Sequence, residues 1–185
     1  MAAELFDALG YHSTSMDGIA ERAGLRKPTL YHYFRSKDEI LFEIHSGMIE
    51  SILGLHEQRL ESGVNSIEAL RGLMEDVINL MENHPGHLRI FLEHHRELPD
   101  RYKEEIRARR DKFRQNIVSA LEQGVEEGVF REVDVEMTAL AILGMCNWTY
   151  QWLRPGSGRS AAEVADAFWD FAMNGVALQP EPARP

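Results

Sequence analysis

Apolar residues recur at three- and four-residue intervals along almost the whole chain, and no stretch alternates apolar and polar as a half-buried strand would. Nine helices are predicted: Ala2–Leu9, Ser15–Ala23, Pro28–Phe34, Lys37–Leu60, Ser66–Asn83, Gly86–Leu98, Asp100–Glu127, Val135–Leu153 and Ala161–Val176. Thr14 with Asp17, Ser36 with Glu39 and Ser160 with Glu163 have the hydroxyl-x-x-acid spacing of a capping box, and Asn65 with Glu68 is a close relative. The first side chain takes an orphan amide at the helix start, and the acid three residues on reaches back. Pro28, Pro85 and Pro99 fall where a first-turn proline loses no intrahelical bond. Gly10, Gly24, Gly63 and Gly128 stand at helix stops.

Helix four places Ile40, Leu41, Ile44, Met48, Ile52 and Leu55 on one face and is long enough to link an N-terminal unit to the rest, as a lever. The most apolar segment, Met137 to Trp152, is interrupted by Asn147, Thr149 and Gln151 and falls short of the roughly 20 apolar residues of a membrane span, so a buried helix is expected. Leu140, Ile142, Leu143, Met145, Cys146, Trp148 and Trp152 make that helix apolar nearly all round. It therefore needs cover on more than one side. A partner subunit supplies that second cover most simply. Leu140, Leu143 and Gly144, with Phe168, Trp169 and Phe171 on the last helix, are the candidate dimer interface.

The most informative stretch runs from Gly10 to Leu41. It reads as two short helices around a tight turn at Gly24, with Ile19, Ala20 and Ala23 inward from the first, Leu30 and Phe34 inward from the second, and Leu25 plugging the turn. A helix-turn-helix of this kind lays its second helix in the major groove of double-stranded DNA. Arg26 and Lys27 open that helix, where its dipole favours a phosphate. Pro28 and the Thr29 methyl suit a thymine methyl, and Thr29, Tyr31 and His32 offer polar groups to bases or backbone. Thr14 and Lys37, at the starts of helices two and four, are further candidate phosphate contacts.

Thr14, Ile19-Ala20, Ala23-Gly24, Thr29-Leu30-Tyr31-His32-Tyr33-Phe34 and Ser36-Lys37-Asp38-Glu39-Ile40 closely resemble the DNA-binding signature of the TetR/AcrR family of transcriptional regulators, departing at the last position by isoleucine for leucine. The resemblance covers about 30 residues and implies an all-α protein that binds a palindromic operator as a homodimer and is released by a small-molecule effector. Its division here is a three-helix helix-turn-helix domain at residues 1–45, a ligand-binding and dimerisation bundle at 46–178 and a disordered tail at 179–185. In the family the last two helices form the dimer interface. Helix one begins late compared with the family, without its basic arm, so it is read as truncated, which would weaken the counterion-release contribution to DNA affinity.

Charge complicates this picture. The formal net charge is -10, and residues 1–45 hold Arg22, Arg26, Lys27, Arg35 and Lys37 against Glu4, Asp7, Asp17, Glu21, Asp38, Glu39 and Glu43. Local charge decides where DNA docks, so an acidic remainder confines binding to one face. The single cysteine excludes an intrachain disulfide and, with no secretory pattern at the amino terminus, fits a cytoplasmic protein.

For the effector, Asn147-Trp148 through Trp152 and Arg154-Pro155-Gly156 resemble the corresponding helix of TetR-type regulators that sense CoA thioesters, with Arg154 for phosphate and the aromatics flanking an acyl chain. The same aromatics equally suit a core or a subunit interface. Met74, Ile78 and Met81 on helix five, with Val77, would form an apolar wall, and Arg89, Phe91 and His94 would border the cavity. No cofactor motif is present; His84 and His87 stand i,i+3 with His94-His95 nearby and invite a metal reading, but helix-start and surface histidines are commoner, so no metal is expected. Two rivals stand beside this reading. A di-iron bundle enzyme needs Glu-x-x-His, which occurs nowhere here. A protein-binding adaptor with a vestigial helix-turn-helix is the other.

Overall fold

A computed structural model describes residues 1–154, 156 and 158–176. Among them the chain forms α1 (Ala2–Leu9), α2 (Met16–Arg22), α3 (Lys27–Tyr33), α4 (Lys37–Glu61), α5 (Ser66–Asn83), α6 (Pro85–Glu93), α7 (Asp100–Glu126), α8 (Val135–Trp148) and α9 (Ala161–Val176), with 3₁₀ turns at His94–Glu97 and Thr149–Gln151. The tail at 179–185 and Pro155 lie outside the described residues. No described helix is long and apolar enough to cross a membrane.

Helix ends follow local chemistry. Asn65 and Glu68 exchange both capping bonds, as do Ser160 and Glu163. The expected Thr14–Asp17 box does not form. Ser15 caps α2 instead, its hydroxyl accepting from the Gly18 amide at 3.1 Å. Helix six stops at Glu93 and tightens into the first 3₁₀ turn, short of the expected Leu98. Helix eight stops at Trp148, where the Thr149 hydroxyl donates back to the Cys146 carbonyl at 2.6 Å.

The chain packs as two compact units. One holds residues Met1–Ser51 and His84–Arg110, and α4 and α7 each contribute to both units. Phe6, Leu41, Ile90 and Leu98 are completely buried in this first unit. The second runs from Ile52 to Asn83 and onward from Asp111. Leu70, Leu73, Met74, Ile78, Met81, Ile117, Leu121 and Leu153 form its core. Here α8 proves to have two faces. Ala139, Ile142 and Cys146 are buried, whereas Met137, Leu140, Gly144 and Trp148 form an exposed stripe at helical spacing.

Candidate nucleic-acid interface and effector residues

The Ala23-Gly24-Leu25 corner sets the angle between α2 and α3. Gly24 sits at φ +66, a backbone conformation that side chains rarely accept, and the Leu25 amide donates to the Ala20 carbonyl at 2.9 Å. Ile19, Ala20 and Leu30 are buried between the helices. Leu25 does not plug the turn as expected. It is exposed, because Ala20 and Leu30 already close the small interface.

With Leu30 alone buried on α3, the opposite side is free. Arg26, Lys27, Pro28, Thr29, Tyr31 and His32 are all exposed. Tyr33 joins them at 71 % exposure, with the His32 ring edge-on to it at 5.4 Å. Sequence reasoning left Tyr33 out of the contact set, although its place in the signature was the available signal. Lys27 reaches across the turn to Asp17 of α2 at 2.5 Å. That carboxylate holds the ammonium above its ordinary pKa, chiefly by hydrogen bonding. A phosphate would have to compete with Asp17 for Lys27.

Two of the expected contacts are engaged within the chain in this structure. Thr14 is buried, with its hydroxyl 2.9 Å from the Gly10 carbonyl and 3.2 Å from that of Leu5, so the group meant for phosphate faces inward. Lys37 is engaged internally as well. Its ammonium donates to the carbonyls of Tyr11 at 2.7 Å, His12 at 3.1 Å and Thr14 at 3.1 Å, and lies 4.5 Å over the Tyr11 ring. All three N–H donors are occupied. Beside it, the Tyr11 hydroxyl donates to Asp38, and burial followed by that carboxylate raises the phenol pKa. The start of α4 is thereby fastened to the α1–α2 loop.

The expected effector residues divide between the units. In the first, Arg89 pairs with Asp7 of α1 at 3.1 Å, which ties its guanidinium to the helix-turn-helix unit. Phe91 is half-buried, 5.2 Å from the His45 ring and 4.4 Å beneath the Arg110 guanidinium, and His94 is half-buried nearby on the chain. In the second, Met74, Ile78 and Met81 are packed core residues. Asn147 is half-buried, and Trp148, Trp152 and Arg154 are exposed. Trp152 keeps one ring contact, edge-on to Phe168 at 6.5 Å.

Of the candidate dimer residues, Leu140, Gly144 and Phe171 are exposed, and Leu143, Phe168 and Trp169 are half-buried. Phe171, at 69 % exposure, is the largest apolar group left in water on α9. Arg71 of α5 spans this region, pairing with Asp166 at 2.7 Å and lying 5.9 Å over the Trp169 ring. The Cys146 thiol is buried on the inner face of α8, and that burial pushes its pKa up to about 12.

Known proteins share this geometry. Residues 1–44 match the profile described as bacterial regulatory proteins, tetR family, and residues 63–176 match tetracyclin repressor-like, C-terminal domain. The HTH-type transcriptional repressor KstR2 of Mycobacterium tuberculosis is 28% identical over 178 residues, spanning 95% of this chain and 89% of that protein. The crystal structure of the TetR family transcriptional regulator PfmR from Thermus thermophilus superposes with a TM-score of 0.86 at 37% identity, covering 97% of each chain. The structure of AibR in complex with isovaleryl coenzyme A and operator DNA superposes with a TM-score of 0.81 at 29% identity, covering 92% of each.

Proposed function

The chain belongs to the tetR family of bacterial regulatory proteins, and from that premise we propose that it is a homodimeric, ligand-responsive transcriptional repressor. One observation carries the DNA-binding half. A short second helix buries Leu30 beside the buried Ile19 and Ala20 of α2 and leaves Arg26, Lys27, Pro28, Thr29, Tyr31 and His32 exposed to solvent. Lys and Arg beside a phenol, an imidazole and a methyl group combine phosphate attraction with groups that read base edges in the major groove.

Dimerisation is supported by the exposed stripe on α8 and by Phe171 on α9, apolar surface that a second copy would cover. Two recognition helices would then meet half-sites of a pseudopalindrome roughly 34–36 Å apart. An effector that binds the splayed dimer better than the operator-bound form releases DNA, and the release can be no larger than that difference in affinity. A CoA thioester is the effector class proposed. The neighbour AibR binds isovaleryl coenzyme A, and here Trp152 and Arg154 are exposed and available for an acyl chain and a phosphate.

The test is a mobility shift of the purified protein on its own upstream promoter DNA, with and without isovaleryl-CoA and a long-chain acyl-CoA. A specific shift released by thioester supports both halves. A shift indifferent to thioester keeps the repressor and removes that effector class. Tyr31→Ala and His32→Ala are each expected to abolish the shift while dimer mass is unchanged, and wild-type affinity in both variants would remove α3 as the recognition helix.

A further inference from the structure

A group of polar side chains in the first unit is unexplained by the fold. His45 of α4 has no solvent exposure, yet neither ring nitrogen has a hydrogen-bond partner. A neutral imidazole carries one donor and one acceptor, and leaving both unmet in a protein interior is costly. Its ring lies 5.2 Å from that of Phe91 on α6. The Arg110 guanidinium of α7 lies 4.4 Å over the same Phe91 ring.

Arg110 is half-buried and forms no ion pair with any described carboxylate, unlike Arg59, Arg71, Arg89, Arg109 and Arg114. Its one protein hydrogen bond is a long one, to the Phe91 carbonyl at 3.5 Å. The foremost charges felt by His45, after burial, are those of Arg110, His95 and His94, all of them cations or potential cations. A half-buried cation without a counter-charge and a buried imidazole without partners are complementary to an anionic oxygen group.

We propose that His45 and Arg110, floored by Phe91, bind an oxyanion carried by an organic effector, a carboxylate or a phosphate, which the guanidinium clamps while the imidazole donates to the same group. The proposal rests on the ligand-responsive reading above and seats the effector's charged end here, within the first unit, in place of Arg154. It also places the charged end against the part of α4 that belongs to the helix-turn-helix unit. Unliganded, His45 is neutral, held far below its ordinary pKa by burial first and by Arg110 next. An oxyanion reverses that balance, so binding takes up a proton and tightens as pH falls.

Isothermal titration of the full chain with decanoate, decyl phosphate and decanol tests this. The charged probes are expected to bind and decanol to bind at least about thirtyfold more weakly, the scale of removing one partner from a buried charge pair. Preference between decanoate and decyl phosphate separates the two sources of the oxyanion. Arg110→Met is expected to equalise charged and neutral probes, and His45→Gln to abolish the tightening at low pH while His94 and His95 remain. Equal binding of decanol and the charged probes by the wild-type protein overturns the site, as does failure of all three to bind. Operator shift by the same preparation keeps the outcomes apart. Protein that shifts DNA but binds no charged probe retains the repressor and loses this site, whereas protein that binds decanoate through Arg110 but shifts no DNA retains the site and loses the repressor.

Discussion

Arg59 and Asp76 face each other between α4 and α5, one guanidinium nitrogen donating to both carboxylate oxygens at 3.0 and 2.9 Å. Both side chains are largely removed from water. Burial raises the Asp76 pKa, and Arg59 opposes the rise without cancelling it. Arg59→Met would strand the carboxylate, so a loss of about 3 kcal/mol is expected in urea unfolding. The neighbouring glycine is coupled to this pair. A Cβ on Gly72 would lie 2.8 Å from the Arg59 Cδ and closer still to its guanidinium, which Asp76 holds in place. Gly72→Ala is therefore expected to destabilise by about 1–3 kcal/mol through crowding. In an Arg59→Ala background the same change should stabilise by up to about 1 kcal/mol, the ordinary helix gain. Stabilisation in the wild-type background would show that the guanidinium yields freely.

Lys37 and Lys27 are expected to behave as opposites. Lys37→Met removes three hydrogen bonds to backbone carbonyls, so it should lower stability by about 1–3 kcal/mol. It should leave the slope of log affinity against log salt for operator DNA as it was. Lys27→Ala should spare stability, since its partner Asp17 is exposed, and lower that slope by about 1. Fluorescence anisotropy over a salt series, beside thermal melts, reads both. A reduced slope in Lys37→Met would return that lysine to the DNA interface.

Phe171→Asp places a charge at a well-exposed apolar position of α9. Size exclusion with light scattering is expected to show monomer where the parent gives dimer, with helical circular dichroism retained. A dimer that survives both this substitution and Leu140→Asp would move the interface elsewhere.

Stability should fall on mild acidification, and His45 should account for a measurable share. In the folded chain its pKa is pushed down to about 3, against about 6.5 in the unfolded chain. Above the unfolded value neither state takes a proton and the contribution is complete. As pH drops below it the unfolded state protonates first, so stability is lost progressively toward the folded value, about 1 kcal/mol by pH 5.5. His56 and His87 are depressed too, mainly by burial, and share the sign. Urea midpoints of wild type and His45→Phe between pH 7.5 and pH 5.5 separate them, and parallel curves would mean that His45 titrates normally.

Much of the fold was legible because helix ends are local chemistry. Asn65, Ser160 and the stop glycines carry their instructions within a few residues. Thr14 and Ser15 show where that logic stops, since Thr14 has the acid at the right spacing yet its burial leaves the adjacent Ser15 hydroxyl to cap α2. Lys37 fits the signature of a DNA contact equally well whether its ammonium points outward or into a loop, and only the position of the Tyr11, His12 and Thr14 carbonyls fixes which. The apolar run of α8 showed that two sides need cover, while its division into a buried Ala139–Ile142–Cys146 face and an exposed Leu140–Gly144–Trp148 face required the placement of α5 and α9. His45 and Arg110 are 65 residues apart in the chain, beyond the reach of any periodicity.

The buried thiol of Cys146 has a practical corollary. With its pKa near 12, on the order of one molecule in 10⁵ carries the reactive thiolate at neutral pH. A maleimide dye should therefore pass over the native cysteine and couple to one introduced at an exposed site such as Arg35. Distances between the two recognition helices of the proposed dimer can then be followed optically, with and without the proposed effector, in a protein whose own cysteine stays silent.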